Sequence, residues 1–364
     1  MTYIKQLDSL RAIAVFLVII THWLPNFSLI DILQLGQVGV NIFFVLSGFL
    51  ITGILLKNRV QAEINDNKST FIKNFFVRRS LRISPIYYLT IFLIFIFANP
   101  IDTTIRHSSI YYLTYTTNFY FYDNNFWDGM TSHLWSLAVE EQFYLLWPWI
   151  ILFLPKKALL PCIATFIIAG VSSSYILRFK DLGLVLPFTC LDAFGLGALL
   201  SFTLFYHTKY FTKFYYACSL LASICLVILI TSIISKQPTL IPIRTAQSII
   251  ALWIITYIIR KISTEKDSFF ILNNKVLIFI GKISYGMYLY HLPLAWDYPF
   301  LSKHVNIYLP ASILRHETYV VFIENISILI LICWLSWILI ERPILKFKKY
   351  FEFRENISSL VKST

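Results

Sequence analysis

An arginine and a histidine eleven residues apart, Arg11 and His22, lie in or at the edge of an apolar run from Leu10 to Leu24. At 100° per residue, a helix returns over that spacing to within about 20° of the same face, and the ~1.5 Å rise separates the pair by about 16 Å along the axis. A cation near one membrane surface is then aligned with an imidazole deep in the bilayer, where ionisable groups are costly and mark function. A neutral imidazole there can take the proton of a hydroxyl as a general base. The plain alternative is a histidine hydrogen-bonded between packed helices.

Three further clusters carry polar chemistry in apolar surroundings. In Phe75-Phe76-Val77-Arg78-Arg79-Ser80-Leu81-Arg82, the arginines are spaced by three and four residues and share a helix face. Guanidinium groups at a membrane edge can grip phosphate oxygens bidentately, although a topology signal with lipid contact also accounts for them. The block from His133 to Pro148 opens an apolar run with Trp135, Ser136, Glu140 and Glu141. The two glutamates are about 100° apart, so they are not expected to face one direction, whereas Ser136 shares a face with Glu140. Capping of a helix N-terminus explains one acid more readily than two. In Gly281 to Pro293, Ser284, Tyr288 and His291 form a polar stripe, which either lines a substrate path or joins helices by hydrogen bonds. The seven histidines form no HxxxH and no carboxylate–histidine cluster, so no metal is expected. The five cysteines sit in apolar segments without CxxC and read as packing residues.

The elements that must position these groups are membrane helices. The 364 residues are 57% hydrophobic and 17% aromatic, with a mean hydropathy of +0.68. Charged residues make up 14%, against about 25% in soluble domains. An all-α polytopic membrane protein follows, with ten apolar runs near Leu10–Leu24, Val38–Leu56, Ile83–Ala98, Leu134–Leu154, Ala158–Leu177, Leu184–Tyr206, Phe214–Ile234, Leu240–Ile259, Val276–Trp296 and Thr318–Ile340. Most reach the ~17–22 residues needed to cross. Leu10–Leu24 is short, and Leu240–Ile259 contains Pro242 and Arg244. No small-residue cleavage site follows the first run, so it does not read as a signal peptide.

With both termini cytoplasmic, 22 of the 31 Lys and Arg fall inside and 7 outside, while Arg11 and Lys282 lie within runs. That asymmetry satisfies the positive-inside rule. The net charge of +12 therefore calls for no nucleic acid; membrane lipid headgroups and an anionic cytoplasmic substrate suit it. Residues 1–343 form one membrane domain and 344–364 a short basic amphipathic tail. Asn58–Ser69 reads as a polar loop. Asn99–His133 is an aromatic outer segment, suited either to a carbohydrate surface or to an interfacial belt. Asp297–Glu317 is a second outer loop, carrying His304 and His316.

Taken together, several motifs resemble the acyltransferase-3 superfamily of bacterial membrane O-acyltransferases. They are Leu7-Asp8-Ser9-Leu10-Arg11 leading to His22, the stretch Gly39 to Thr52, Arg79-x-x-Arg82, the Trp135-to-Pro148 block, and Ser284 to His291. The resemblance implies ten membrane helices in the bacterial cytoplasmic membrane. It also implies transfer of an acyl group, usually acetyl, from cytoplasmic acyl-CoA (acetyl-CoA) as cosubstrate, with no tightly bound cofactor. The expected acceptor is a hydroxyl of a cell-surface or lipid-linked saccharide, such as an O-antigen or exopolysaccharide.

On this reading Arg11, Arg79 and Arg82 hold CoA phosphates. His22 is the general base or a transient acyl carrier, and Glu140 or Glu141 orients it or binds the acceptor. Ser136, Trp135, Tyr288 and His291 line the substrate path. Some relatives add an extracytoplasmic esterase-like domain; here a separate protein is expected to supply any such step. The oligomeric state and the acyl chain are left open. A transporter for lipid-linked sugars is the rival class, because buried charges and broken helices also occur there, yet no repeated halves are found.

Overall fold

The computed structural model describes residues 3–24, 28–65, 67–99, 102–235, 237, 239, 241–264, 271–305 and 317–351. Those residues are mostly helical, with no strand among them. The helices are α1 (Lys5–Trp23), α2 (Ser28–Leu33), α3 (Leu35–Asn65), α4 (Lys68–Phe97), α5 (Ile105–Leu113), α6 (Thr117–Asn124), α7 (Leu134–Phe153), α8 (Lys156–Leu177), α9 (Leu191–Tyr206), α10 (Phe211–Ser235), α11 (Ile243–Thr264), α12 (Lys275–Val305) and α13 (Glu317–Ser336). Beyond α13 the last span continues through a π-helical turn at Trp337–Glu341.

Eight helices are long and apolar enough to cross a membrane: α1, α3, α4, α8, α9, α10, α11 and α13. The other two expected runs are α7, of 20 residues, and α12, of 31, which carry the polar stripes. The side chains of Asp297–Glu317, including His304 and His316, lie outside the described residues, as does 352–364 of the tail. The described part of the tail, Arg342–Phe351, prolongs the last span as a helical turn and a tight 3-10 segment.

Two boundaries differ from the sequence expectation. Asn58–Ser69 is helical up to Asn65 and again from Lys68. The stretch contains no Gly or Pro, Arg59 pairs with Glu63 at 2.9 Å one turn on, and the Asn67 side chain caps α4 at the amide of Thr70. Arg59 also donates to the carbonyls of Ile151 and Leu154 at the end of α7, which supplies partners that the helix itself cannot. The run from Leu184 does not begin a helix. Leu182 adopts a left-handed conformation, Pro187 cannot donate an amide, and tight 3-10 turns at Gly183–Val185 and Pro187–Cys190 lead into α9.

α1 lies between α3 and α12, α3 packs along α9, and α8 and α11 close against α9 and α10 respectively. Lipid-like surroundings offer no hydrophobic drive between helices, so close contact depends on small residues. Gly48 of α3 and Gly197 of α9 provide it. A Cβ on Gly48 would meet the backbone carbonyl of Phe194, and one on Gly197 that of Val45. Gly281 likewise lets α12 touch the backbone of α1 at Asp8. Around these crossings Val15, Ile19, Phe44, Phe49, Trp147 and Phe194 are fully buried. On the outer side of α10, Leu220, Leu221, Leu226 and Val227 are exposed, as a bilayer-facing helix requires.

The aromatic segment before α7 folds as a cap. Asp128, 2% exposed, accepts hydrogen bonds from Thr103 Oγ1 (3.1 Å), Thr104 N (2.7 Å), Thr104 Oγ1 (2.9 Å) and the Tyr112 hydroxyl. Burial, together with the neighbouring Asp128 carboxylate, raises the Tyr112 phenol far above its ordinary range, so it acts as a donor. Several aromatics of the cap touch one another, Tyr111 stacked on Tyr120 and Phe126 edge-on to Tyr120 and Phe121. Trp127 alone among them lines the cavity described next.

Gly48→Val is expected to force α3 and α9 apart at a cost of at least ~1–3 kcal/mol. Thermal-shift chromatography of detergent-solubilised protein should show a lowered midpoint; an unchanged midpoint would refute the close-contact role.

Candidate active site

Two cavities run through the bundle end to end. The first, of about 830 Å³, is lined by Arg11 (α1), Ser47 (α3), Arg79 and Arg82 (α4), Ser136, Glu140, Glu141 and Tyr144 (α7), and Ser284, Tyr285 and Tyr288 (α12). Five helices therefore bring together groups that the sequence scatters over nearly 280 positions. The second, of about 1260 Å³, is lined by His22, Trp127, His133, Trp135, Arg178, Lys180 and Arg244, among others. Val40 and Tyr288 line both and form the common wall. Arg11 and His22 thus project from one helix into different cavities, one at each end, as their helical spacing requires.

In the first cavity Arg11 pairs with Asp8 at 3.0 Å. Arg79 lies 4.6 Å over the ring of Tyr144. The Tyr144 and Ser47 hydroxyls both donate to Glu140 Oε1. Among the described residues neither Arg79 nor Arg82 has a carboxylate within 4.0 Å. Both also line an adjoining cleft of about 580 Å³ with Asn58, Asn74, Arg78 and Lys348. Four cations and no acid face that cleft, which suits a ligand with several phosphate groups.

The expectation that Glu140 and Glu141 face different directions needs correction, since both line the first cavity. The α7 residues that line it, Ser136, Leu137, Glu140, Glu141 and Tyr144, span about 140° of the helix, one broad face, so a 100° offset does not separate them. They differ in their partners instead. Glu140 is fixed by two hydroxyl donors, while Glu141 Oε1 is buried with no hydrogen-bond partner among the described residues.

Ser136 and Tyr288 form the partition between the cavities. Their oxygens are 2.5 Å apart, and the Ser136 hydroxyl donates to the His133 carbonyl at 3.2 Å. Trp135, one residue before Ser136, turns into the second cavity instead. His291 lines neither cavity. It is fully buried, with Nε2 3.3 Å from His22 Nδ1. The structure therefore places it behind His22 and not on the substrate path expected from the polar stripe; three residues carry Tyr288 to the wall and His291 to the neighbouring face.

The hydrogen bonds around these rings fix their neutral tautomers. A carbonyl oxygen only accepts. His22 Nδ1 lies 3.1 Å from the Val18 carbonyl and must carry the proton. His291 Nδ1, 2.6 Å from the Tyr288 carbonyl, must carry its own, which leaves Nε2 as an acceptor toward His22. His22 Nδ1–H is therefore held by two acceptors, and its Nε2 keeps a free lone pair on a ring that lines the second cavity. His133, 3% exposed, follows the same logic: Nε2 donates to the Leu289 carbonyl at 3.1 Å, and Nδ1 is buried without a partner. A lone pair in this setting can accept a hydroxyl proton.

Sequence reasoning missed several members of the site. His133 stood at the start of the α7 block but outside any helical face shared with His22. Ser47 and Tyr144, which fix Glu140, are ordinary residues of apolar helices. Arg244, noted only as an interruption of the run Leu240–Ile259, is 2% exposed inside the bundle. Its presence in an otherwise apolar run was the available signal.

Comparison with known proteins places the chain in a family. The acyltransferase-3 profile, described as an acyltransferase domain, matches residues 4–341. The chain is 41% identical over 157 residues to the peptidoglycan O-acetyltransferase OatA of Listeria monocytogenes, covering 40% of this chain and 24% of that one. It is 30% identical over 382 aligned positions to a Staphylococcus aureus protein provisionally named an O-acetyltransferase, covering 95% of this chain and 58% of that one. The chain thus spans between a quarter and three fifths of these relatives' lengths. No solved structure matches it significantly. With a profile match over nearly its whole length, the chain belongs to the acyltransferase-3 family.

Proposed function

We propose that the protein is a multi-pass O-acetyltransferase of the bacterial cytoplasmic membrane, with both termini in the cytoplasm. It moves an acetyl group from cytoplasmic acetyl-CoA to a saccharide hydroxyl on the outer side. The observation that carries this reading is the pair of cavities sharing one wall, cationic at one end and offering an imidazole lone pair at the other. The CoA phosphates occupy the cleft of Arg78, Arg79, Arg82 and Lys348, with Arg11 nearby. The pantetheine arm extends along the first cavity and brings the thioester to the Tyr288 wall. The sugar hydroxyl enters by the second cavity.

His22 Nε2 removes the hydroxyl proton, and the alkoxide oxygen attacks the thioester carbonyl. The C–S bond breaks, and the CoA thiolate leaves and regains the proton from the imidazolium. Positioning and general-base catalysis each supply large factors in such a step. The same Nε2 lone pair can attack the thioester itself, giving an acetyl-histidine that the sugar hydroxyl then opens. The homology of the matched region to proteins named as peptidoglycan O-acetyltransferases favours a cell-wall or other surface glycan as acceptor.

Three outcomes test this. In proteoliposomes with radiolabelled acetyl-CoA, His22→Ala should lower transfer by at least ~10²-fold while CoA binding persists. Undiminished transfer would overturn the mechanism, and label retained on wild-type protein in the absence of acceptor would select the acetyl-histidine route. Arg79→Ala and Arg82→Ala should each raise the KM for acetyl-CoA by roughly tenfold or more, the loss of a charge-assisted contact, with kcat less affected. His291→Gln, which still presents an acceptor to His22 Nδ1–H, should retain more kcat than His291→Leu; equal losses would reduce His291 to a packing residue. Movement of lipid-linked sugar without any acetyl transfer would favour the transporter class.

A further inference from the structure

We propose that the second cavity is a binding site for an acidic saccharide, so that the acceptor carries a carboxylate or phosphate near the hydroxyl that is acylated. This rests on the reading that the acceptor enters by this cavity. The first observation is charge. Arg178, Lys180 and Arg244 line the cavity, and no Asp or Glu does among the described residues. These cations lie across the Tyr288 wall from the arginines assigned to CoA, so the donor's phosphates do not account for them.

The second observation is that Arg244 is a buried cation held entirely by neutral groups. Nε donates to Asn41 Oδ1 at 3.2 Å, one terminal nitrogen to the Leu184 carbonyl and to Thr189 Oγ1 (3.5 Å), and the other to Cys190 Sγ at 2.9 Å. The guanidinium carbon is 5.4 Å from the Trp135 ring centroid and 5.7 Å from that of Phe44. The nearby acid, Asp192, accepts instead from Thr245 Oγ1 (2.6 Å) and Ala193 N (2.8 Å), and makes no ion pair with Arg244. Asp192 therefore offsets the buried charge only through space, and an anion in the cavity would supply the direct partner that Arg244 lacks.

The third observation is an idle donor. Arg178 gives one terminal nitrogen to the Thr239 carbonyl at 3.1 Å and packs on Tyr175 and Phe179, but its Nε is buried with no partner. An incoming carboxylate or phosphate oxygen would satisfy it. Trp127 and Trp135 line the same cavity, and sugar rings stack on such aromatic side chains. His22 holds a lone pair for a hydroxyl. The lining therefore matches a sugar at both ends, hydroxyl toward the histidines and anion toward the cations.

The test uses the full chain in nanodiscs without CoA, titrated calorimetrically with an oligogalacturonate, its carboxyl-reduced neutral counterpart, and a phosphorylated oligosaccharide of similar length. One or both anionic probes should bind about tenfold tighter than the neutral one, with affinity falling as salt rises; the two anionic arms tell carboxylate from phosphate recognition. The double variant Arg178→Gln, Lys180→Gln should bring the ratio toward one, and it leaves Arg244 in place should Arg244 variants fail to fold. Equal affinity for neutral and anionic probes, or a preference untouched in the double variant, would overturn the proposal. The two readings fail separately. Acidic-probe binding without acetylation of any bound saccharide would leave this site standing and sink the acceptor reading. Equally efficient acetylation of the neutral probe would do the reverse.

Discussion

The structure depends on keeping ionised groups away from lipid by gathering them around cavities inside the bundle. A charge at bilayer depth is tolerated only where it faces a bundle interior or a water-filled space. Arg11, Arg79, Arg82, Glu140 and Glu141 meet that requirement by sharing one cavity, and Arg178, Lys180 and Arg244 by sharing another. The surrounding helices are then free to be apolar outside, as α10 is.

Close helix crossings hold those walls in register. Gly48 against Gly197 and Gly281 against Asp8 remove the spacing that side chains would impose. α1 can then carry Arg11 beside α4 and His22 beside α12. Van der Waals contact at these crossings also fixes the rotation of α12 that directs Tyr288 into the shared wall and His291 toward His22. Backbone carbonyls do the remaining work. Those of Val18, Tyr288 and Leu289 each accept a hydrogen bond from an imidazole N–H and thereby decide which ring nitrogens keep lone pairs. Polar groups in helix interiors usually serve the helix; here the carbonyls at α1 and α12 serve the histidines as well.

The wall of Val40 and Tyr288 separates a cavity lined by three arginines from one lined by two histidines. On the proposed reaction, donor and acceptor meet only where these two cavities touch. That makes the narrow partition, and not the size of either cavity, the place where geometry is most constrained. The cap from α5 to Met130, pinned on Asp128, covers the far end and contributes Trp127 to it.

The all-helical membrane class, the runs that form the bundle, and the polar residues worth attention were legible in the sequence, because lipid forces long apolar helices and penalises every stray charge. The helical period also set Arg11 and His22 on one face of α1. Tertiary structure decided what periodicity within one helix cannot reach. It brought His133 and His291 to His22 from different helices, placed both glutamates on one cavity, gave Glu140 its two hydroxyl donors, and drew Arg244 inside. Those contacts join residues as many as 269 positions apart, and they follow from how helices cross, which is set by small residues and backbone approach between elements and not by the pattern along any one of them.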